Sequence, residues 1–329
     1  MAFPSPSGPN SYIWNLKQVY NARLGNNWPE AYIFNSNFGF FSGGEGSPVN
    51  GTNTIEYINI ASAGNGTNFA ELTIAVYGNE SGAASQTRGL SAGGYFPAGV
   101  GNNTISYITF ATKGNATDFG DMSVSSGRRA GASSSTRGVF SGGQSPTSIS
   151  TIDYVTIASV GNTVSFGNLL TAGGGAANMV NSPTRGIYST MITPGRSNVI
   201  EYITIATTGN SLDFGDLLDV NGLMGGVSSQ TRGVFAGGNP GPSYINVIQY
   251  ITIASTGNSL DFGDLTRSNA AIAGVTNQTR GVFAGGEGPL TNTIDYVTIA
   301  TTGNATDFGD LTRGRSEFCG TSGSHGGIA

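Results

Sequence analysis

Hydrophobic and polar residues alternate along this chain in short runs, and the runs recur. In NTIDYVTIAT, residues 292–301, Ile294, Tyr296 and Thr298 fall on one face, and the residues between them fall on the other. The neighbouring runs are RGVFAGG, a short apolar segment that ends at a glycine pair, and DFGDLT, which carries one large aromatic side chain. No recurring unit shows the period of a helix. The pattern therefore predicts an all-β structure.

The Ile-x-Tyr segment occurs six times, at intervals of 50, 47, 48, 48 and 46 residues. Its tyrosines are Tyr57, Tyr107, Tyr154, Tyr202, Tyr250 and Tyr296. A phenylalanine follows each tyrosine and repeats at the same intervals, so insertions fall outside the stretch that joins them. Each unit holds four predicted strands, which is typical of one blade of a β-propeller.

The two ends of the chain carry partial units that add up to one blade. The last unit stops after its first strand, and the first unit begins at its second strand with Phe38. We therefore predict a six-bladed propeller over residues 38–329, in which the C-terminal strand becomes the inner strand of the first blade. An open solenoid is the alternative, and it would need polar caps at its ends.

These motifs resemble two groups of known proteins. A small-residue strand, an apolar strand ending in Gly-Gly, a tyrosine strand and an aromatic-x-x-Leu strand resemble the kelch repeat, with Phe where kelch often has Trp. The sequence TRGVFAGG…NTIDYVTIATTGNATDFGDLT is similar to repeat proteins of tailed phages of marine cyanobacteria, which are identified as virion structural proteins. The resemblance covers about residues 38–329. It implies a kelch-like propeller in a phage particle that is assembled in the host cytoplasm.

Residues 1–37 differ from the repeats and are predicted to form an arm. SYIWNLKQVYNARLGNN fits one short helix that Ser11 caps and Gly25 ends. The large aromatic residues of the arm are candidates for anchoring the chain to other virion proteins; they are Trp14, Tyr20 and Trp28. The alternative is a helix that folds back onto the propeller as a plug.

Composition narrows the classes of partner. The chain has 14 Lys and Arg against 19 Asp and Glu, with a net charge of -5, and it shows no basic stripe, so we expect no nucleic-acid binding. No apolar run is long enough to span a membrane, and the first residues do not fit a secretion signal. The single cysteine, Cys319, excludes an internal disulfide and a cysteine-based zinc site. Oligomerisation within the particle is left open.

The tripeptide Asp-Phe-Gly, which holds magnesium in protein kinases, occurs four times, for example at Asp307. A kinase needs one copy, a strand lysine and a His-Arg-Asp loop, and the chain has neither partner motif. We therefore interpret its Phe as a packing anchor. Asp307 and Asp310 could contribute to a calcium site, but the denser ligand loop that calcium prefers is missing, so we predict no metal and no cofactor.

A recurring Thr-Arg-Gly suggests a structural ring of ion pairs, because arginine grips carboxylates bidentately. The arginines are Arg88, Arg137, Arg185, Arg232 and Arg280, and the predicted partners are Asp121, Asp216, Asp264 and Asp310. The alternative is an anion site built from the five arginines.

Function is expected where the repeat breaks down. The loops between the second and third strands vary from unit to unit, and their aromatic residues Tyr95, Phe96 and Tyr244 are candidates for binding a host surface glycan or protein. A purely architectural virion protein is the main alternative. A glycan-cleaving enzyme is a third hypothesis, with Glu30 and Glu317 as acids outside the repeat, although we predict that the chain is not an enzyme.

Overall fold

The computed structural model describes residues 37–46, 50–79, 81–174, 180–189 and 195–324. Over these ranges the chain forms six four-stranded antiparallel sheets and no helix. None of the described segments is a helix of the length and apolarity that a membrane crossing requires. The predicted arm, with Trp14, Tyr20 and Trp28, lies outside the described residues.

Each sheet is one blade of a propeller, and its four strands follow one another from the centre of the ring outward. Blade 1 contains β26 (Cys319–Ser322), β1 (Phe38–Ser42), β2 (Thr52–Asn59) and β3 (Thr67–Val76). Blade 2 contains β4 (Ser81–Ala84), β5 (Arg88–Ala92), β6 (Thr104–Thr109) and β7 (Thr117–Asp121). Blade 3 contains β8 (Ala130–Ser133), β9 (Arg137–Ser141), β12 (Thr151–Thr156) and β13 (Val164–Asn168), and its loop adds a small hairpin of β10 (Gln144–Ser145) and β11 (Thr147–Ser148).

The second half of the ring repeats this order. Blade 4 contains β14 (Val180–Asn181), β15 (Arg185–Ser189), β16 (Ser197–Thr204) and β17 (Leu212–Asn221). Blade 5 contains β18 (Gly225–Ser228), β19 (Arg232–Ala236), β20 (Val247–Thr252) and β21 (Leu260–Asp264). Blade 6 contains β22 (Ala273–Thr276), β23 (Arg280–Ala284), β24 (Thr293–Thr298) and β25 (Thr306–Asp310).

The C-terminal strand closes the ring. β26 pairs antiparallel with β1, so that Cys319 lies opposite Ser42 and Ser322 lies opposite Gly39. The predicted six blades and their closure are therefore confirmed, and the open solenoid was wrong. Closure removes the exposed sheet edges that a solenoid of these units would present at its ends.

The inner strands consist of small residues because they crowd around the axis. A side chain on Gly131 would overlap the carbonyl of Gly82 in the next inner strand, and one on Gly320 would overlap the carbonyl of Gly274. The expectation that a strand of small residues suits the centre is thus confirmed.

The Asp-Phe-Gly segment is a packing element of the outer strand. In blade 6, the buried Phe308 meets the ring of Tyr296 edge-on at 5.9 Å, and all six blades repeat this pair at 5.8–6.1 Å. The glycine allows the next blade to approach closely. A side chain on Gly263, which has a φ of 148°, would lie 2.5 Å from the carbonyl oxygen of Gly303. The interpretation of the Phe as an anchor is therefore confirmed.

Candidate functional site

The ring has two faces, because adjacent strands of a blade are antiparallel. The base face carries the turns that join the first strand to the second and the third to the fourth. The mouth face carries the other two sets of loops. The described residues between the second and third strands are 43–46, 50–51, 93–103, 142–150, 195–196, 237–246 and 285–292. The described residues between successive blades are 77–79, 122–129, 169–174, 222–224, 265–272 and 311–318.

On the base face, the recurring arginines join each blade to the next. Arg137 Nη1 donates to the carbonyl oxygens of Ile205 and Ala206 at 3.0 and 2.8 Å, and its guanidinium lies 4.5 Å from the centre of the Tyr154 ring. The same pair of contacts, a carbonyl in the next blade and a tyrosine in its own, is made by Arg88, Arg185, Arg232 and Arg280. These arginines therefore act as structural links between blades through cation–π and carbonyl contacts.

The predicted pairing of these arginines with Asp121, Asp216, Asp264 and Asp310 was wrong. Ion pairs within the described ranges instead join Arg128 to Glu317, Arg129 to Asp153 and Arg315 to Glu56. The strand register explains the failure: Arg88 lies opposite Thr109, whereas Asp121 lies opposite Thr104 at the other end of the same strand. Five residues of strand separate the two ends by roughly 17 Å.

The Gly-Asn turns of the base face cover the outer edge of the preceding blade. The amide of Asp264 donates to Oδ1 of Asn304 at 3.1 Å, and the amide of Gly303 donates to the carbonyl of Phe262 at 2.7 Å. The asparagine contact recurs at all six junctions, with Asn65, Asn115, Asn162, Asn210, Asn258 and Asn304 as acceptors. The repeated sequence of this face is thus accounted for by blade-to-blade hydrogen bonds.

A second link between blades was missed from the sequence. The residue before each repeated tyrosine is polar and buried, namely Glu56, Ser106, Asp153, Glu201, Gln249 and Asp295. Each bonds a residue near the end of the previous blade's outer strand; Asp295, for example, accepts from the amide and hydroxyl of Thr266 at 3.0 and 2.8 Å. Burial raises the pKa of Asp295 despite these bonds. A polar residue placed in every copy between aliphatic neighbours was the available signal.

On the mouth face, backbone hydrogen bonds link the loops that enter the inner strands of five blades. We name as the collar five residues with left-handed backbone; they are Gly78, Arg128, Leu223, Ala271 and Glu317, with φ between 52° and 62°. The amide of Ala271 donates to the carbonyl of Leu223, Glu317 to Ala271, Gly78 to Glu317 and Arg128 to Gly78, at 2.6–3.1 Å. Four of these residues are not glycine, and left-handed backbone is strained for such residues.

The collar also concentrates charge. Arg128 pairs with Glu317 at 2.5 Å, and only 4% of the Glu317 side chain is exposed. Its Oε2 has no hydrogen-bond partner among the described residues. Burial raises the pKa of Glu317, and burial together with the charges of Glu317 and Glu45 raises the pKa of Glu287. The positive charge of Arg128 acts on both carboxyl groups and lowers both pKa values against the effect of burial.

The predicted aromatic residues lie against this collar. Tyr95 is half-buried, its ring is 5.4 Å from that of Tyr77, and its hydroxyl donates to the carbonyl of Gln144 at 3.1 Å. Tyr244 is half-buried against Leu223, Ala270 and Ala271, and the charge of Glu287 raises the pKa of its hydroxyl.

Phe96 is half-buried in the same loop as Tyr95. The two tyrosines thus belong to one surface that also holds Arg128, Glu287 and Glu317. Sequence reasoning missed Arg128 and Glu287 and set Glu317 aside. Arg128 and Glu317 break the repeat, whereas Glu287 has a counterpart in Glu45.

The side chains of the mouth face suit a polar organic ligand. Carboxylates accept hydrogen bonds from hydroxyl or amino groups, and tyrosine rings offer apolar faces for stacking. Within the described ranges, no three His, Cys, Asp or Glu side chains are placed to hold a metal ion. Comparison with models of known protein families and with curated proteins finds no match.

Proposed function

We propose that this chain is a kelch-like propeller module of a phage virion, borne on a tail, baseplate or fibre, and that its mouth face recognises the host surface. The observation that carries the proposal is the contrast between the two faces. Repeated residues on the base face are engaged in joining blades, whereas non-repeating carboxylates and tyrosines gather around the collar. Variation presented on a rigid scaffold is what recognition surfaces exhibit.

The burial of a carboxyl group at the collar supports a surface that is under selection for function, and not loops whose sequences vary without constraint. A carboxyl with a raised pKa and an oxygen that has no hydrogen-bond partner among the described residues is unfavourable for the folded state, and Glu317 has both. The ligand classes that fit are a surface glycan, through its hydroxyl or amino groups, and a protein that presents polar donors.

The test is adsorption to host cells after exchange of the mouth loops. Loops 93–103 and 237–246, which carry Tyr95, Phe96 and Tyr244, are each replaced by the sequence of loop 285–292. We expect loss of adsorption with an unchanged circular-dichroism spectrum. A matched control, Val160→Thr on the base face, removes an exposed apolar side chain without touching the collar and retains adsorption. Normal adsorption by a folded loop-exchange variant would contradict the proposal.

The main alternative is a purely architectural protein that bridges other virion proteins through residues 1–37. Deletion of residues 1–30 separates the two hypotheses. Loss of the chain from the particle, together with normal adsorption by loop-exchange variants, would favour architecture. We expect the deletion to prevent incorporation while the isolated propeller still binds the host surface.

Glycan cleavage is a second candidate because two carboxyls with raised pKa values, Glu287 and Glu317, lie close enough to influence one another. Glycosidases use such a pair as acid and as base or nucleophile. Turnover of host polysaccharide that Glu317→Gln abolishes would establish this activity. Binding without turnover is the result that the recognition proposal expects.

A further inference from the structure

The outer edge of blades 3 to 5 exposes large apolar side chains. Leu170, Leu212, Leu218 and Leu260 are 57%, 57%, 51% and 58% exposed, respectively. They fall into two pairs, one at the junction of blades 3 and 4 and one at the junction of blades 4 and 5. Strand β17 links the pairs, because it begins at Leu212 and carries Leu218 near its end. Six residues of strand extend the apolar line over roughly 20 Å. We call these four residues the leucine edge.

The repeat itself does not require these leucines. At the position of Leu170 and Leu218, near the end of the outer strand, the other blades have Thr73, Ser123, Thr266 and Thr312. At the position of Leu212 and Leu260, which open the outer strand, they have Thr67, Thr117, Val164 and Thr306. Threonine or serine therefore serves the same backbone geometry at seven of these eight positions, and the 57% exposed Val164 is the exception.

The junctions with leucine keep the side-chain hydrogen bond to the buried polar residue of the next blade, but a different residue supplies the hydroxyl. In the other junctions, the hydroxyl comes from the residue that leucine replaces, as when Thr312 Oγ1 donates to Glu56 at 2.7 Å. At the leucine junctions, a serine in the adjacent turn supplies it: Ser211 donates to Glu201 at 2.6 Å, and Ser259 donates to Gln249 at 2.7 Å.

The corresponding turn residues elsewhere are Gly66, Ala116, Thr163 and Ala305. The hydroxyl has been relocated wherever a leucine replaces it at the surface. Structure alone gives no reason for this exchange, since it exposes apolar area to water.

Charge around the leucine edge indicates the partner. The strands β17 and β21 carry five aspartates and no lysine or arginine; the aspartates are Asp213, Asp216, Asp219, Asp261 and Asp264. A second copy docking through the same edge would bring these like charges together, which is unfavourable. A complementary partner combines apolar side chains with flanking Lys or Arg.

We infer that the leucine edge docks a protein segment that presents an apolar face flanked by basic side chains. A length of roughly 20 Å corresponds to about 13 residues of helix. The site is separate from the mouth face, so the inference does not depend on the proposed recognition function. It gives the propeller a side on which it can be fixed while its mouth stays free.

The probe is an 18-residue amphipathic Leu/Lys peptide, with a Leu/Glu peptide of the same apolar pattern as the charge control. Binding to the full chain is followed by fluorescence anisotropy. We expect saturable binding of the Leu/Lys peptide that weakens with salt, and little binding of the Leu/Glu peptide. The variant L170T/L212T/L218T/L260T takes residues that other blades already use and keeps Ser211 and Ser259, so it is expected to fold. Its affinity should fall by on the order of tenfold or more.

A control variant, V100T/L290T, removes two exposed apolar side chains on the mouth face and should bind as the natural chain does. Equal binding by the fourfold threonine variant, or equal binding of both peptides, would overturn the inference. Sedimentation equilibrium gives an independent measurement. If the natural chain is a dimer and the fourfold threonine variant is a monomer, a second copy occupies the leucine edge. That result would overturn the inference of a basic partner.

Discussion

The two faces of this propeller are built from the same six units, yet they use sequence in opposite ways. On the base face, Arg232 reaches the carbonyl of Ile299 and stacks on Tyr250, and equivalent arginines make the same contacts in four other blades. On the mouth face, the equivalent collar positions hold Arg128 and Glu317 in two blades and apolar residues in others. The repeated arginines of the base face make the same contact with the next blade, whereas the collar residues differ from blade to blade although their backbones also bond one another.

Function in a repeat protein is therefore to be sought where the units differ. A motif that recurs in every unit, such as Asp-Phe-Gly, solves a packing problem that every unit shares. A residue that occurs once and is buried, such as Glu317, is a candidate for function, because the packing that every unit repeats does not account for its identity.

The largest effect is expected where a turn of the base face packs against the outer strand of the preceding blade. Gly263→Ala places a side chain 2.5 Å from the carbonyl oxygen of Gly303 and strains a φ of 148°, so we expect a loss of about 2–4 kcal/mol in the free energy of unfolding. Gly195→Ala, on the mouth face, meets nothing within 4 Å and should change stability by less than about 0.5 kcal/mol. Urea denaturation compares the two variants, and equal losses would erase the distinction between the faces.

An intermediate effect is expected for the linking arginines. Arg232→Ala removes a hydrogen bond to Ile299 and a cation–π contact with Tyr250, and we expect a loss of about 1–2 kcal/mol. Arg196→Ala removes a contact with Asn239 from an exposed arginine of the mouth face and should be nearer neutral. Thermal unfolding measures both. A larger loss for Arg196→Ala than for Arg232→Ala would contradict the assignment of stability to the base face.

The smallest effect is a pH dependence confined to the mouth. Because the pKa values of Glu287 and Glu317 are raised above 4.5 in the folded chain, these groups favour folding when protonated, and this contribution is lost as the pH rises through their folded pKa values. Between pH 8 and about pH 5, the natural chain should therefore gain more stability on acidification than the variant E287Q/E317Q. If the stability of the two proteins changes with pH in parallel, Glu287 and Glu317 are not desolvated in the folded chain.

Much of the fold could be predicted from the sequence, because spacing and alternation determine strands, blades and ring closure. The partial units around Phe38 and Cys319 were enough to predict which strand closes blade 1. The ion-pair ring could not be assigned correctly. Its arginines and aspartates recur together, but recurrence does not reveal that Arg88 and Asp121 lie at opposite ends of a strand.

The candidate site was only partly predictable. Loop variation led to Tyr95 and Tyr244, which the structure places against the collar. The charges of Arg128, Glu287 and Glu317 come from three different loops, and only the ring brings them together. Their convergence is a consequence of closure, which no single unit of the sequence displays.

The central claim is that the base face stabilises the fold and the mouth face binds the host. A substitution library of residues 37–324, displayed on cells and sorted twice, tests this claim most directly. The first sort selects protease resistance, and the second selects binding to host cells. We predict that substitutions which lower protease resistance concentrate in the base-face turns and blade junctions. Substitutions that lower only host binding should concentrate around Tyr95, Tyr244, Glu287 and Glu317. Binding-specific positions that lie on the base face, or that scatter over both faces, would contradict this division.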